Sequence, residues 1–336
     1  MYDRREPSPT MTDLSIVIVS WNVRTLLERC LYSIYTSLIE QPDTLGTERQ
    51  NALQCEVIIV DNASTDGSPV MVRQRFPTAK LIVNESNLGF TKANNIGIAH
   101  SSGRYILLLN PDTEILGDAL AIMVNYMDHH PEVGALGPKL LFPDGSVQSS
   151  RRRFPTLATA FLESTVVQQW FPRNRVLARY YIQDRSDDEE QEVDWVIGAC
   201  LLIRRQAWEQ VGPLDEGFFM YSEELDWCRR LKAAGWRVVY TPWAKVVHHE
   251  GQSSSQVVPA RHIYFQSSKV RYFRKHHGVL AGEGLRFFLL ATYVYQLCLE
   301  GFKWLVGHKR PLRRERIAAY LRVLRSGLRA QGEVQG

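Results

Sequence analysis

Four short, nearly continuous apolar runs constrain this chain more than any other feature. Ser15-Ile-Val-Ile-Val-Ser20, Glu56-Val-Ile-Ile-Val60, Lys80-Leu-Ile-Val83 and Tyr105-Ile-Leu-Leu-Leu109 do not alternate with polar residues. That is the pattern of strands covered on both faces. Helical patterns fall between them, from about Arg24 to Ile39 and near Phe90 to His100, and the polar stretch from Gln41 to Gln54 reads as a loop. Strand, helix, strand, helix predicts an α/β fold with a mainly parallel sheet flanked by helices. In such sheets ligands bind beyond the carboxyl ends of the strands. Asn22, Asp61, Asn62, Asn87 and Asp112 stand at those ends.

Past about residue 135 the pattern becomes mixed. The turns Gly137-Pro138 and Pro143-Asp144-Gly145 predict short antiparallel pieces. Val193 to Ile203 reads as one strand and Glu223 to Ala233 as a helix ending at Gly235. Arg237 to Tyr240 and Ala244 to His248 read as two short strands, and the chain beyond Val258 as helical nearly to its end.

Four constellations carry chemistry. Val60-Asp61-Asn62-Ala-Ser-Thr-Asp66-Gly67 suits a helix-capping turn, and equally a carboxylate that accepts the N3–H of a pyrimidine base. Asn110-Pro111-Asp112 sets a carboxylate at a strand end, where it can hold a turn or a divalent cation on a diphosphate. Phe218 to Arg230 packs Glu223, Glu224 and Asp226 behind a dense aromatic patch. Acids in a first turn complement the helix dipole, with Ser222 as cap, whereas a carboxylate desolvated by rings is a general base. His248 and His249 precede a Gly/Ser loop, and neutral imidazole is a metal ligand.

Taken together these motifs resemble family 2 glycosyltransferases, with bacterial rhamnosyltransferase-like members the nearest in pattern. Ile-Val-Ile-Val-Ser-Trp-Asn22, Val-Asp61-Asn-Ala-Ser-Thr-Asp66-Gly, Asn87-Leu-Gly89-Phe and Leu-Leu-Leu-Asn110-Pro-Asp112 match the nucleotide-binding half. Pro143-Asp-Gly-Ser-Val-Gln148, Val196-Ile-Gly198-Ala, Phe-Phe-Met-Tyr-Ser-Glu-Glu224-Leu-Asp226 and Val-His248-His-Glu-Gly251 match the acceptor half. The resemblance implies a GT-A-type mixed sheet over residues 13–277, divided into 13–115 and 116–277, after a leader at 1–12 and before a helical extension at 278–336. It also implies a nucleotide-sugar donor (dTDP-rhamnose first), a glycan or lipid-linked acceptor, Mg²⁺ or Mn²⁺, and inversion at the anomeric carbon. By position, Asp61 contacts the base, and Asn22, Asn62, Asn87, Asn110 and Asp112 belong to the donor site. Asp112 and His248 ligate the metal, and Glu224 is the base, with Asp226 and Glu223 as alternatives. Two departures stand out: Asn110 replaces the first metal-motif aspartate, and Glu224 replaces the usual aspartate base.

Other classes fit less well. A nucleotidyltransferase needs a glycine-rich basic loop after the first strand, and Ser20-Trp-Asn-Val-Arg24 has no glycine. A catalytically inactive nucleotide-sugar-binding module would keep the fold and tolerate both departures. The net charge of +4 is too small to indicate nucleic acid. Five cysteines without C-x-x-C spacing fit a reducing cytoplasm, and the polar N-terminus carries no secretion signal. From Phe287 to Leu299 there is no formal charge, followed by the basic run His308 to Arg316. Such a segment is too short to span a bilayer. It fits a helix lying in the interface on the inner face of the cell membrane, or equally a buried helix or homodimer contact.

Overall fold

The computed structural model describes residues 12–39, 53–163, 165–249 and 258–329. The expected leader lies almost wholly outside them, as do most of the 41–54 loop and the end of the His248 motif from Glu250.

The first half follows the expected alternation: β1 (Leu14–Ser20), α1 (Arg24–Ile39), β2 (Cys55–Asp61), α2 (Ser68–Arg75), β3 (Lys80–Val83), α3 (Phe90–Ala99) and β4 (Tyr105–Leu109). β5 (Thr113–Ile115) and α4 (Ala119–His129) come next. The second half holds β6 (Val133–Leu141), β7 (Val147–Gln148), β8 (Arg151–Arg152) and three short helices, α5 (Leu157–Leu162), α6 (Val166–Trp170) and α7 (Arg175–Tyr180). Then come β9 (Gln191–Val193), β10 (Trp195–Val196), β11 (Cys200–Arg204), α8 (Arg205–Val211), α9 (Glu223–Ala233) and β12 (Arg237–His248). The chain closes with α10 (Val258–His277), α11 (Val279–Leu305) and α12 (Arg310–Ser326).

The main sheet runs β3-β2-β1-β4-β11-β6-β12-β5. β3, β2, β1 and β4 are mutually parallel, β11 is antiparallel to β4 and β6, and β12 is parallel to β6. Strand side chains explain the uninterrupted apolar runs. Ile16, Ile18, Leu107 and Leu109 face the layer that holds α1 and α4, while Val17, Ile106 and Leu108 face the layer that holds α9 and α10. Period-2 geometry with both faces covered demands an apolar residue at every position.

Three expectations change in the second half. Gly137-Pro138 is not a turn: both residues lie inside β6, paired with Tyr240 and Thr241 of β12. Val193 to Ile203 is not one strand: β10 leaves the main sheet to pair with β8, and the chain turns at residues 197–199 before β11 begins. Conversely, Arg237 to His248 is a single strand, whose register shifts between Thr241 and Lys245. Pro242 lies inside that shift, where a missing N–H is tolerated. The expected turn at Pro143-Asp144-Gly145 does join β6 to β7, with Gly145 at φ 83°. Gly278 at φ 93° and Gly307 at φ 84° divide the helical C-terminal region into its separate helices.

Candidate active site

The donor end is built by loops that follow β1, β2 and β3. Asn22, left-handed at φ 52°, accepts the Thr65 N–H at 2.7 Å, and its own N–H donates to Ser64 Oγ at 2.9 Å. Asp66 accepts the Arg24 N–H at 2.7 Å, so these three bonds tie the loops after β1 and β2 together. Burial pushes the Asp66 carboxyl upward, but hydrogen bonds from Ser68 and Arg24 outweigh it and hold it below the ordinary value.

Asp61, 1% exposed at the end of β2, accepts the Ser64 N–H through Oδ2 at 2.8 Å. Its Oδ1 is buried with no hydrogen-bond partner among the described residues. Asn62 braces the neighbouring loop, donating to Gly89 O at 3.1 Å and accepting from Asn84 at 2.8 Å. Asn87 Oδ1 accepts the Gly89 N–H at 3.0 Å. Asn22, Asn62 and Asn87 therefore shape the rim through the protein's own loops.

Gly89 is where the two halves meet. Its φ is 86°, and an added Cβ would lie 2.7 Å from both the ring and the carbonyl oxygen of Phe219. The Phe219 carbonyl also accepts the Phe90 N–H at 2.8 Å. Gly89→Ala is expected to cost about 2–3 kcal/mol, from a left-handed backbone plus a clash that backbone cannot relieve. A thermal or urea unfolding midpoint equal to wild type would contradict this.

The second cluster forms where β4 ends. Asn110 donates its N–H to Ala199 O at 2.9 Å, and its carbonyl accepts from Thr113 Oγ1 at 2.7 Å. Immediately after it, β5 pairs antiparallel with the tail of β12, with His248 opposite Thr113. That pairing brings His248 Nε2 to 3.4 Å from Asp112 Oδ1, both residues buried. On the far side of the ring, His248 Nδ1 lies 2.9 Å from Gln148 Oε1. With the proton on Nδ1 and donated to Gln148, the Nε2 lone pair faces Asp112.

Gln148 closes the Pro143-Asp-Gly-Ser-Val-Gln148 motif, and its role as the partner of His248 emerges only in the fold. An imidazole with one nitrogen anchored and the other aimed at a carboxylate is the arrangement seen in metal-binding histidines. The amide oxygen of Asn110 is buried with no hydrogen-bond partner among the described residues. Amide oxygen, carboxylate and imidazole are each donor types that suit Mg²⁺ or Mn²⁺. Among the described residues no three His, Cys, Asp or Glu side chains converge on one point. A cation here would depend on a phosphate-bearing ligand for further charge.

The third cluster opens α9. Tyr221 and Ser222 both take left-handed backbone, φ 70° and 66°, just before Glu223. Two such non-glycine residues in succession store strain of about 1–3 kcal/mol each, a feature that concentrates at functional sites. Ser222 does not cap the helix with its side chain. Glu224 Oε1 accepts the Gly198 N–H at 3.2 Å, while Oε2 is buried and makes no hydrogen bond among the described residues. Gly198 adjoins Ala199, the acceptor for Asn110, so one turn touches both the β4 end and the Glu224 carboxylate.

Burial raises the Glu224 carboxyl, and it raises Glu223 further with help from the Glu224 charge. The aromatic patch contributes elsewhere: Phe219 stacks on Tyr264, Tyr221 meets Phe265 edge-on, and the Arg271 guanidinium lies over Phe218. Those rings dock the segment onto α10 and Gly89.

Asp226 requires correction as a candidate catalytic residue. It is fully buried, with Oδ1 2.7 Å from His276 Nε2 and 2.8 Å from Lys275 Nζ, and Oδ2 accepting from Arg230 Nε at 3.0 Å. Burial alone would raise its carboxyl, but the bonds from His276 and Lys275, with the Lys275 and Arg230 charges, hold it down to about 2. A carboxylate already engaged by Lys275, Arg230 and His276 has no free oxygen lone pair aimed at a substrate proton and is held well below the ordinary range. It joins α9 to α10.

Sequence and structural comparisons identify the family and the fold. Residues 15–212 match the family model of glycosyl transferase family 2. The chain is 35% identical over 282 residues to N-acetylglucosaminyl-diphospho-decaprenol L-rhamnosyltransferase of Mycobacterium tuberculosis, covering 80% of this chain and 87% of that protein. It is 28% identical to the rhamnosyltransferase WbbL of Escherichia coli K12, over 56% of this chain and 70% of the relative. In fold it is similar to the mannosyltransferase PcManGT of Pyrobaculum calidifontis solved with GDP-Man and Mn²⁺, with TM-score 0.52, 18% identity, and 95% and 91% of the two chains covered. GalNAc-T7, solved with UDP, GalNAc and Mn²⁺, gives TM-score 0.54 at 16% identity, over 80% of this chain and 48% of that one. Strand-end acids in a GT-A-like mixed sheet, matched by sequence over most of their span, place this chain in glycosyl transferase family 2.

Proposed function

We propose that this chain is an inverting rhamnosyltransferase. It takes the sugar from dTDP-rhamnose and attaches it to a hydroxyl of a lipid-linked, sugar-bearing diphosphate during cell-surface polysaccharide synthesis, on the cytoplasmic side of the membrane. The rhamnosyltransferase relatives support the donor and acceptor class. The observation that carries the chemistry is that Asp61 Oδ1, Asn110 Oδ1 and Glu224 Oε2 are buried with no hydrogen-bond partner among the described residues. Buried polar atoms in native proteins nearly always have partners, so two such oxygens at strand ends and one at the start of α9 suit a polar ligand that supplies them.

In this reading Asp61 Oδ1 accepts the N3–H of the thymine. Asp112, His248 and Asn110 would hold a divalent cation, which offsets charge on the departing diphosphate. Asn22 and Asp66 keep the donor loops closed on each other. The acceptor oxygen attacks the anomeric carbon while the bond from that carbon to the diphosphate oxygen breaks, the electron pair leaving with the nucleotide. Glu224 Oε2 takes the acceptor proton, and one displacement inverts the centre. We further propose that residues 13–277 form the catalytic domain, with the helical extension at 278–336.

Two results test the reading. A panel of sugar nucleotides with Mg²⁺ and a short-chain lipid diphosphate sugar is expected to give acceptor-dependent nucleotide release with dTDP-rhamnose above all others. Release from a different donor would reassign the sugar, and release from none would leave a binding module. Separately, Asp112→Ala is expected to weaken Mn²⁺-dependent dTDP binding about tenfold or more, through loss of the one carboxylate in the donor set. Titration calorimetry showing equal affinity would remove Asp112 from the site.

A further inference from the structure

The outward face of α11 is the wrong polarity for a helix that meets water. Its exposed stripe runs through Phe287, Ala291, Val294, Cys298 and Phe302, spaced by four, three, four and four residues, and it carries no charge. Phe287 is 66% exposed and Phe302 63%, whereas Glu300 on the same helix is 4% exposed. Glu300 turns inward to Arg313 of α12 at 2.7 Å. A helix that buries Glu300 and exposes Phe287 and Phe302 presents a surface made to be covered.

The apolar area extends past the helix. The exposed indole of Trp170, on α6, meets Tyr295 edge-on at 5.8 Å, and Phe171 beside it is also exposed. At the other end Trp304, Leu305 and Val306 are exposed and run directly into Lys309 and Arg310. Arg310 bonds to the Trp304 carbonyl at 3.2 Å and holds its guanidinium 5.7 Å from the indole centre. Arg314 stands exposed one turn later. Among the described residues no helix is long and apolar enough to cross a membrane.

We infer that this face lies on an anionic lipid bilayer, with the α11 stripe, Trp170 and Phe171 in the headgroup–acyl boundary and Lys309, Arg310 and Arg314 on lipid phosphates. Charge decides the occupant. A second copy presenting these same residues would offer the cationic rim no acid to pair with, whereas an anionic surface satisfies the apolar stripe and the rim together. The inference stands on the helix face and is independent of donor and acceptor identity.

Vesicle flotation of the full chain tests it, using phosphatidylcholine alone and phosphatidylcholine mixed with phosphatidylglycerol. Wild type is expected to float with the anionic vesicles, to bind neutral ones far less, and to be released by salt. Phe302→Glu, and separately Lys309→Glu with Arg310→Glu, should each lower the bound fraction about tenfold while unfolding temperature stays at the wild-type value. The proposal is overturned if wild type stays with neither vesicle, if it floats equally with both, or if the variants float like wild type. A concentration-dependent dimer that Phe302→Glu dissociates would overturn it too, in favour of a second copy on this face. Phe302→Ser, which adds no charge, repeats the test should the glutamate variant fail to fold.

Discussion

Glu224→Gln is expected to lower acceptor-dependent transfer by about 10²–10⁴-fold, the range a positioned general base contributes. Affinity for the nucleotide should remain within about twofold, because the amide keeps the shape of the side chain and can still accept the Gly198 N–H through its carbonyl. Equal turnover in the variant would move the base to Glu223 or elsewhere. The pH profile carries a second signature. Burial raises the Glu224 carboxyl, so its basic form is lost on acidification at a higher pH than for an ordinary glutamate. The acid limb of the rate profile should therefore begin above the usual carboxylate range, and Glu224→Gln should abolish that limb.

Asp226→Asn is expected to behave in the opposite manner, damaging the fold before the chemistry. The substitution leaves Arg230, Lys275 and His276 around a neutral amide at the α9–α10 contact. Removing one partner of a fully buried pair costs about 3–5 kcal/mol, and here the partly solvated cations reduce that to about 2–3 kcal/mol. The sign with pH follows from the low carboxyl. An acid held at about 2 stabilises the fold above its unfolded value near 3.8, and that contribution disappears as pH falls through 2. Wild type and variant should thus differ clearly in urea midpoint at pH 7 and converge in strong acid. A variant as stable as wild type at pH 7 but inactive would restore Asp226 as a catalytic group.

The parts of the site legible in the sequence are those that a single strand carries. Asp61 and Asp112 could be placed because each follows an uninterrupted apolar run, and a buried parallel strand must end at the sheet's ligand-binding edge. His248 could be matched by motif, but its contact with Asp112 depends on β5, three residues long, pairing with a strand well over a hundred positions later. No local pattern announces a strand of that length. The role of Gln148 was hidden for the same reason, since its partner is a hundred positions away.

Asp226 misled because acids in a first turn look alike on a helix. What separates Glu224 from Asp226 is whether α10 sets hydrogen-bond donors against them, and Lys275 and His276 lie about fifty positions further on. The break at residues 197–199 was likewise invisible to periodicity, yet that turn carries the N–H that Glu224 accepts and the carbonyl that Asn110 bonds. Similarly, the apolar stretch in α11 is readable as apolar, but only packing shows that Phe287 and Phe302 face outward while Phe288 and Glu300 turn inward.

The most direct measurement of the central claim is nucleotide release in the presence and absence of acceptor, run side by side for wild type, Asp112→Ala and Glu224→Gln. The account predicts acceptor-stimulated release from wild type alone, with both variants near the uncatalysed background. Stimulated release that survives in both variants would show that the β4 end and the start of α9 are not the two sides of one catalytic centre.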